Sequence, residues 1–312
     1  MRTGVFCLLL LPSCCVCWGP VSHYSFACSE LAGQEDLERC IEDHPDLISG
    51  DDFPDAFYFG SFIGGSNCTA FRAFHNNAFA TQMLLSARHG KGVYRSSTRS
   101  KPFNSTAFAL GYASHMYADD VGFFSTTLAP ASTYLNWLKV WTYMVSVDAA
   151  LASAAGLKRV EVPTLPEEGN KFIAEVAANY KKAIDPTAPD ITAEQVGWCA
   201  AAWQEVLRDK TVEALETLEA TWRHQLVEFS PYNATSSQEA LQQLEPARDC
   251  VASVWKYYFG LVQQEGAKAG DVDKKASAFI ESAFAAGKCA PPGRAASAKG
   301  PLGPFGLWPE AG

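Results

Sequence analysis

His115 and Asp119 stand four residues apart in a segment, residues 111–124, that reads GYASHMYADDVGFF. Together with the apolar residues before it, this segment predicts a helix over residues 105–123 that packs one side into the core. Because a helix turns about 100° per residue, side chains four apart share a face, so the imidazole and the carboxylate lie side by side. Such a pair can bind a metal ion, but it also occurs as an ordinary hydrogen-bonded pair. The metal interpretation therefore requires further ligands.

The other five of the six histidines supply the next candidate ligands. His75 lies at the start of a predicted helix, where the plain alternative is a buried, hydrogen-bonded core histidine. His23 lies close to the N terminus that we expect after signal cleavage, an unusual place for a purely structural histidine. His44 and His89 stand among polar residues, and we expect both to be exposed to solvent. The last histidine, His224, is considered below.

The elements that must position these residues are predicted to be helices nearly throughout. No run alternates convincingly with period two, so the expected fold is all-α, a single multi-helix domain over residues 18–289 followed by a disordered Gly-, Ala- and Pro-rich tail, residues 290–312. We expect residues 49–54, SGDDFP, to break a helix, and Asp55 to lie in a loop after the break. The expected helices cover residues 25–48, 71–87, 105–123, 134–157, 171–184, 193–229, 238–265 and 272–286, and the range 193–229 is long enough for two helices that join near Asp209.

The first residues have the composition of a secretory signal peptide, residues 1–17. Arg2 supplies a positive start, and the apolar run that follows is too short to span a bilayer. Small residues at Cys15 and Cys17 fit the positions before a cleavage site, so we expect cleavage after Cys17 and a mature N terminus at Trp18. The sequence thus predicts a secreted protein, or one in the lumen of the secretory pathway, with no transmembrane segment after cleavage.

The cysteines and sequons agree with an oxidising compartment. Four of the ten cysteines leave with the signal peptide, and an even number remains, which suggests disulfides. Six cysteines allow fifteen pairings, among which the sequence does not choose. Asn67, Asn104 and Asn233 begin glycosylation sequons, so we expect a glycoprotein. The six remaining cysteines are Cys28, Cys40, Cys68, Cys199, Cys250 and Cys289.

The charge of the mature chain disfavours nucleic acid as a partner. The whole chain has a net charge of −9, and removal of Arg2 leaves 24 Lys and Arg against 34 Asp and Glu, a net charge of −10. This field repels nucleic-acid backbones and anionic membranes at long range, unless a metal centre or a basic patch reverses it locally.

Four motifs in order along residues 18–124 resemble the zinc-dependent phospholipase C superfamily, especially the amino-terminal catalytic domain of glycosylphosphatidylinositol-specific phospholipase D. Residues 49–58, SGDDFPDAFY, look like the family's Gly-x-x-Phe-Pro-Asp-x-Phe-Tyr signature. Residues 75–79, HNNAF, are similar to its His-x-x-x-Phe helix start, and residues 111–119 look like its Gly-x-x-Ser-His-Met-x-Ala-Asp helix. The opening, residues 18–23, WGPVSH, also resembles the start of the fungal zinc nucleases that cut single strands.

The resemblance implies two zinc ions and a set of ligands. Asp55, His75, His115 and Asp119 would hold one ion. Trp18, through its terminal amine and carbonyl, and His23 would hold the second, with Asp119 bridging the two. Nitrogen and oxygen ligands of this mix suit zinc. The family's chemistry is hydrolysis by a water molecule activated between close ions, and Asp55 would act as the catalytic residue that orients or deprotonates this water.

The chain departs from the family where a third zinc ion would bind. Phe123 and Ser125 occupy the positions where the family has a histidine. His224 and Glu228 have the helical His-x-x-x-Glu spacing, but they lie about a hundred residues late. They are either a displaced third metal site or a surface helix pair.

The resemblance predicts a hydrolase that cuts a phosphodiester bond in a phospholipid or a glycosylphosphatidylinositol. Three alternatives remain open. The first is a zinc nuclease, suggested by the opening residues 18–23. The second is a metal-poor binding protein, suggested by Phe123 in place of the third-site histidine. The third is a structural or surface glycoprotein on the same helical scaffold.

Overall fold

The protein is described here by a computed structural model that covers residues 19–34, 36–63, 68, 70–89, 93–94, 102–125, 148–157, 164–208 and 237–285. These residues form an all-α fold, as the sequence predicts. The helices are α1 (Pro20–Ala27), α2 (Leu37–Asp43), α3 (Pro45–Ile63), α4 (Asn77–His89), α5 (Ser105–Ser125), α6 (Glu167–Ala183), α7 (Ala193–Arg208), α8 (Ser237–Val262) and α9 (Ala269–Ala285). A π-helical turn spans Cys28–Ala32, a 3₁₀ helix spans Ala70–Phe74, and residues 148–154 are helical.

The predicted helix break at residues 49–54 is wrong, and so is the loop that was expected to carry Asp55. Helix α3 continues through this segment with Pro54 inside it. Proline lacks the N–H that would donate to the carbonyl of Gly50, so its place within a helix is locally unfavourable. Residues 46–57 are buried without exception, and this burial outweighs the local preference. Asp55 therefore lies on a buried helix.

The single helix expected over residues 25–48 is divided among four elements: the end of α1, the π-helical turn, α2 and the start of α3. The π-helical turn ends at Gly33, whose φ of 64° is left-handed and favours glycine. Asp36 then begins α2 by accepting a hydrogen bond from the Arg39 backbone N–H at 3.0 Å. A disulfide between Cys28 and Cys40 ties the end of the first helical segment to α2.

Helices α3 and α5 cross at the centre of the fold and approach each other closely through two glycines. A Cβ atom at Gly50 would overlap the backbone carbonyl of Phe108, and one at Gly111 would overlap the carbonyl of Leu47. The two helix backbones are therefore in contact at these glycines, where any larger residue would force the helices apart. This crossing carries the buried side chains of α3 towards those of α5.

A short antiparallel strand pair, which the sequence analysis missed, precedes α5. Val93–Tyr94 pairs with Phe103–Asn104, and two residues per strand are too few to show an alternating pattern. The Asn104 side chain accepts hydrogen bonds from the backbone N–H groups of Thr106 and Ala107, both at 3.1 Å, and so caps the start of α5.

The later helices follow the predicted pattern, and the described residues show two disulfide pairs. The predictions over residues 171–184, 238–265 and 272–286 agree with α6, α8 and α9, and α7 accounts for the first part of 193–229. Besides Cys28–Cys40, the structure joins Cys68 to Cys199, and Cys250 is disulfide-bonded as well. Within the described ranges, no helix has the length and apolar character that crossing a membrane requires.

Candidate metal centre

Three helices and one helix-preceding turn bring five of the predicted ligands together. Helix α5 carries His115 and Asp119 on one face, as their spacing predicts, and α3 carries Asp55 on the face turned towards them. His23 comes from α1, and His75 lies between the 3₁₀ helix and α4. The cluster therefore depends on the close crossing of α3 and α5 and on the packing of α1 against both.

The first group of possible metal ligands is Asp55, His75 and His115. Each offers one ligand atom, and these atoms lie within 4.8 Å of one another. The Nε2 atom of His115 lies 3.7 Å from Asp55 Oδ1 and 3.4 Å from Asp119 Oδ2. Ligands about 2 Å from a zinc ion stand about 3.3 Å apart when the coordination is tetrahedral, so the group needs only small side-chain shifts to bind one ion.

The second group is His23, Asp51 and His115, whose ligand atoms also lie within 4.8 Å of one another. The rings of His23 and His115 stack with centroids 3.9 Å apart and an angle of 12° between their planes. Asp119 stands between the two histidines, because its Oδ1 lies 3.2 Å from His23 Nε2 while its Oδ2 faces His115. Asp119 therefore contacts both groups.

The ring nitrogens of His23 and His115, which are unpaired within the described residues, are a second reason, independent of the distances, to regard the cluster as a metal site. His23 and His115 are each 1% exposed, and none of their four ring nitrogens makes a hydrogen bond of ordinary geometry among the described residues. Buried polar atoms nearly always have partners, and a lone-pair nitrogen next to carboxylates is a typical transition-metal ligand. The residues present are thus able to hold a metal ion.

The protonation of the cluster also suits a cation. Burial opposes charge on Asp119, but the neighbouring imidazoles of His115 and His23 outweigh it and lower the pKa of this carboxyl below its ordinary range. Burial, followed by repulsion from His115, lowers the pKa of His75 to about 4. Burial opposes a proton on His23, yet Asp119 raises the pKa of His23 above its ordinary value. At neutral pH Asp119 is therefore ionised and His75 neutral, the forms that bind metals, whereas a metal at His23 has to displace the proton that Asp119 favours there.

Asp51 is the ligand candidate that the sequence analysis missed. It is 1% exposed, and its Oδ1 accepts a hydrogen bond from the Ser114 hydroxyl at 2.7 Å, while its Oδ2 makes none among the described residues. The signal was present in the sequence, because Asp51 and Asp55 stand four apart, as His115 and Asp119 do. The expected break at residues 49–54 concealed this shared helical face.

Two further buried carboxylates hold α1, which carries His23. Asp52 accepts hydrogen bonds from the Tyr24 hydroxyl at 2.9 Å and from the indole N–H of Trp203 at 2.7 Å. Asp148 accepts from the backbone N–H groups of Val21 and Ser22, at 3.2 and 2.9 Å, and from the Ser22 hydroxyl at 2.7 Å. Asp148 thus caps the N terminus of α1 and lies on the positive end of its dipole.

We expect Asp148→Asn to weaken metal binding through α1. The asparagine amide would point donor N–H groups at the Val21 N–H, which costs about 1–2 kcal/mol of stability, and looser positioning of His23 lowers metal affinity by about 10–100-fold. Competition with a chromophoric zinc chelator measures the affinity. Asp36→Asn, which alters the cap of α2 only, is the matched control. Equal affinities in the Asp148→Asn and unaltered proteins would show that Asp148 does not position His23.

Several predicted site residues lie outside the described ranges. Trp18, His224 and Glu228 are among them, so neither the terminal ligand nor the displaced third site is described. Phe123 and Ser125 belong to the last turn of α5. His44 is exposed at the end of α2, as predicted. His89 is the last residue of α4, and the exposure of its side chain is not described.

Comparison of the chain with protein-family models, with curated proteins and with solved structures found no match.

Proposed function

We propose that this chain is a zinc-dependent phosphodiester hydrolase of the zinc-dependent phospholipase C type, which acts on a phospholipid or a glycosylphosphatidylinositol. The observation that supports the proposal is the convergence of His23, Asp55, His75 and His115 with Asp119, five residues that the motif resemblance selects from segments up to 96 residues apart. If the motif matches were due to chance, there would be no reason for these residues to meet in the fold. Here they form one cluster, in which His75 is partly exposed and the other four are buried.

The residues divide into two ligand groups around one shared histidine. Asp55, His75 and His115 would hold one zinc ion, and His23 with Asp51 would hold a second, with Asp119 in contact with both groups. Trp18 would complete the second group through its terminal amine and carbonyl. Bound zinc supplies Lewis acidity, which makes water a nucleophile near neutral pH and offsets the negative charge that develops on a phosphate. Asp55 would orient that water and accept its proton.

The rest of the chain supports this role in two ways. Ser114 fixes Asp51, while Asp52 and Asp148 fix α1, so the ligand groups are held by buried hydrogen bonds before any metal binds. The two disulfides are compatible with the secreted or lumenal location that the signal peptide predicts.

Elemental analysis of the mature, signal-cleaved protein tests the proposal. We expect about two zinc ions per chain, and a lower content when one alanine is added ahead of Trp18. The same preparations are then assayed on phosphatidylcholine, phosphatidylinositol, a glycosylphosphatidylinositol-anchored protein and single-stranded DNA. Hydrolysis of a lipid substrate that follows zinc content supports the proposal, and cleavage of DNA alone would favour the nuclease. A zinc content near three would indicate His224 and Glu228 as a third site, and a content near zero would overturn the proposal.

A second candidate function is a closed, structural zinc site. His23, Asp51, Asp55 and His115 are each no more than 2% exposed, and structural sites are closed whereas catalytic sites keep an open position. His75 is the partly exposed member of the two ligand groups, so it marks the side from which a substrate would approach. Stoichiometric zinc together with a lower unfolding temperature after chelation, but no hydrolysis of any substrate, would favour the structural site.

A further inference from the structure

The sequon at Asn104 lies on the surface at the start of α5, and the proposed function makes no use of it. Asn104 ends the strand Phe103–Asn104, and Thr106, the hydroxyl residue of the sequon, lies in the first turn of α5. Both residues are exposed, whereas Phe103 and Ser105 are buried. A sequon can arise by chance in a buried segment, but here its two defining side chains are at the surface, where a carbohydrate on the folded protein must lie.

The hydrogen bonds of Asn104 show which branch of its side-chain amide serves the fold. The Oδ1 atom accepts from the backbone N–H groups of Thr106 and Ala107, both at 3.1 Å. An amide nitrogen cannot accept such bonds, so the two donors identify the oxygen and put Nδ2 on the other branch of the planar amide. Within the described part of the chain, no hydrogen bond uses Nδ2. The atom that N-glycosylation modifies therefore takes no part in the helix cap.

The backbone of Asn104 is held by two further elements. Its N–H donates to Asp46 Oδ2 at 2.9 Å, and Asp46 lies in the first turn of α3. Asn104 also pairs with Val93 in the antiparallel strand pair. Contacts with α3, with the neighbouring strand and with α5 thus fix this residue, so its side chain has one defined direction relative to the helix that it caps.

We propose that Asn104 carries an N-linked carbohydrate on Nδ2 while Oδ1 of the same side chain caps α5. The donor is a lipid-linked oligosaccharide pyrophosphate of the secretory-pathway lumen. A bond forms between Nδ2 and the anomeric carbon of the first sugar, the bond from that carbon to the pyrophosphate oxygen breaks, and Nδ2 loses one proton. The product is still an amide, so Oδ1 keeps the lone pairs that the cap requires.

The attachment point stands clear of the candidate metal centre. His115 lies eleven residues beyond Asn104, about 16 Å along the axis of α5. The proposal uses the secretory location that the signal peptide predicts, with which the two disulfides are compatible. It does not rest on the proposed hydrolase function, because neither the sequon nor the cap involves a metal ligand.

Peptide mapping of the full chain, produced by eukaryotic cells with its own N-terminal segment, tests the modification. Trypsin releases residues 100–139, a peptide in which Asn104 begins the only sequon. An amidase that removes N-linked carbohydrate, used in water enriched in heavy oxygen, converts a glycosylated asparagine into a labelled aspartate. We expect the label at position 104 in most copies of this peptide. Unlabelled Asn104 in most copies would overturn the proposal.

Variants of Thr106 remove the carbohydrate without touching the cap. Thr106→Ala destroys the sequon but keeps the Asn104 side chain and the backbone N–H that it binds, so this chain should lose one glycan on gel electrophoresis. Thr106→Ser is the matched control, because serine also completes a sequon and should retain the glycan. Equal mobility of the two variants before treatment with the amidase would contradict the proposal.

Variants of Asn104 test whether the same side chain also caps α5. Asn104→Ser and Asn104→Ala both abolish the sequon, but serine is a good N-cap that adds no charge beside Asp46, whereas alanine is a poor one. We expect Asn104→Ala to melt about 2–4 °C below Asn104→Ser. Both chains lack the glycan at this position, so the difference reports the cap alone. Equal melting temperatures would show that Asn104 does not have the double role.

Discussion

His115→Ala is expected to remove zinc from both ligand groups and to abolish hydrolysis. His115 is the one residue that both groups share, and its Nε2 lies within 3.7 Å of both Asp55 and Asp119. Loss of a supporting partner alone lowers metal affinity by about 10–100-fold, so loss of a shared ligand should lower it by more than about 100-fold. Zinc content after gel filtration and the rate of phosphodiester cleavage measure the two effects.

His44→Ala is the matched control for this experiment. It also removes one imidazole, but His44 is exposed at the end of α2 and belongs to neither ligand group. We expect wild-type zinc content and activity from it. If His115→Ala folds and retains the zinc content of His44→Ala, the candidate metal centre is not a metal site, and the hydrolase proposal fails with it.

Gly111→Ala is expected to destabilise the fold by more than about 3 kcal/mol, the upper part of the range for overpacking. The added Cβ would overlap the carbonyl of Leu47 and would also meet the backbone N of Asp51 at 2.6 Å. Backbone atoms cannot rotate away as side chains do, so α3 and α5 would have to separate. Because these helices carry Asp51, Asp55, His115 and Asp119, zinc affinity should fall together with the free energy of unfolding.

Gly260→Ala makes the same chemical change without the contact. Gly260 lies within α8 at an exposed position, and nothing stands within 4 Å of a Cβ placed there. Alanine favours the helix by about 0.5–1 kcal/mol over glycine, so this variant should be slightly more stable than the unaltered protein. Urea unfolding of both variants, with zinc and with chelator, measures the difference. Equal stabilities would show that the close crossing of α3 and α5 does not constrain the fold.

The helical class and part of the candidate metal centre could be predicted because both depend on local spacing. Periodic apolar residues predict α5, α6, α8 and α9, and the spacing of four puts His115 beside Asp119. His23 and His75 could be placed near them only through the resemblance, because no local pattern connects positions 52 residues apart along the chain. The structure brings both of them to His115.

The parts that could not be predicted depend on contacts distant in sequence. Pro54 indicates a helix end when it is considered locally, and only burial between neighbouring helices explains why α3 continues through it. Asp51 was missed for this reason. Cys68 pairs with Cys199 because the fold brings together two segments 131 residues apart. The number and spacing of the cysteines do not predict this contact.

The anchoring of α1 by Asp148 has a consequence for the order of events during synthesis. The backbone N–H of Ser22 and the carboxylate that caps it are separated by 126 residues, so the ribosome completes the first long before the second. At about 5–20 residues per second, the newly made α1 waits on the order of 6–25 s for its cap. His115 and Asp119 are made before that interval ends, but until Asp148 has been made the cap that holds His23 against them is missing. The candidate metal centre can therefore be completed only after synthesis has passed Asp148, well after both groups of ligands have been made.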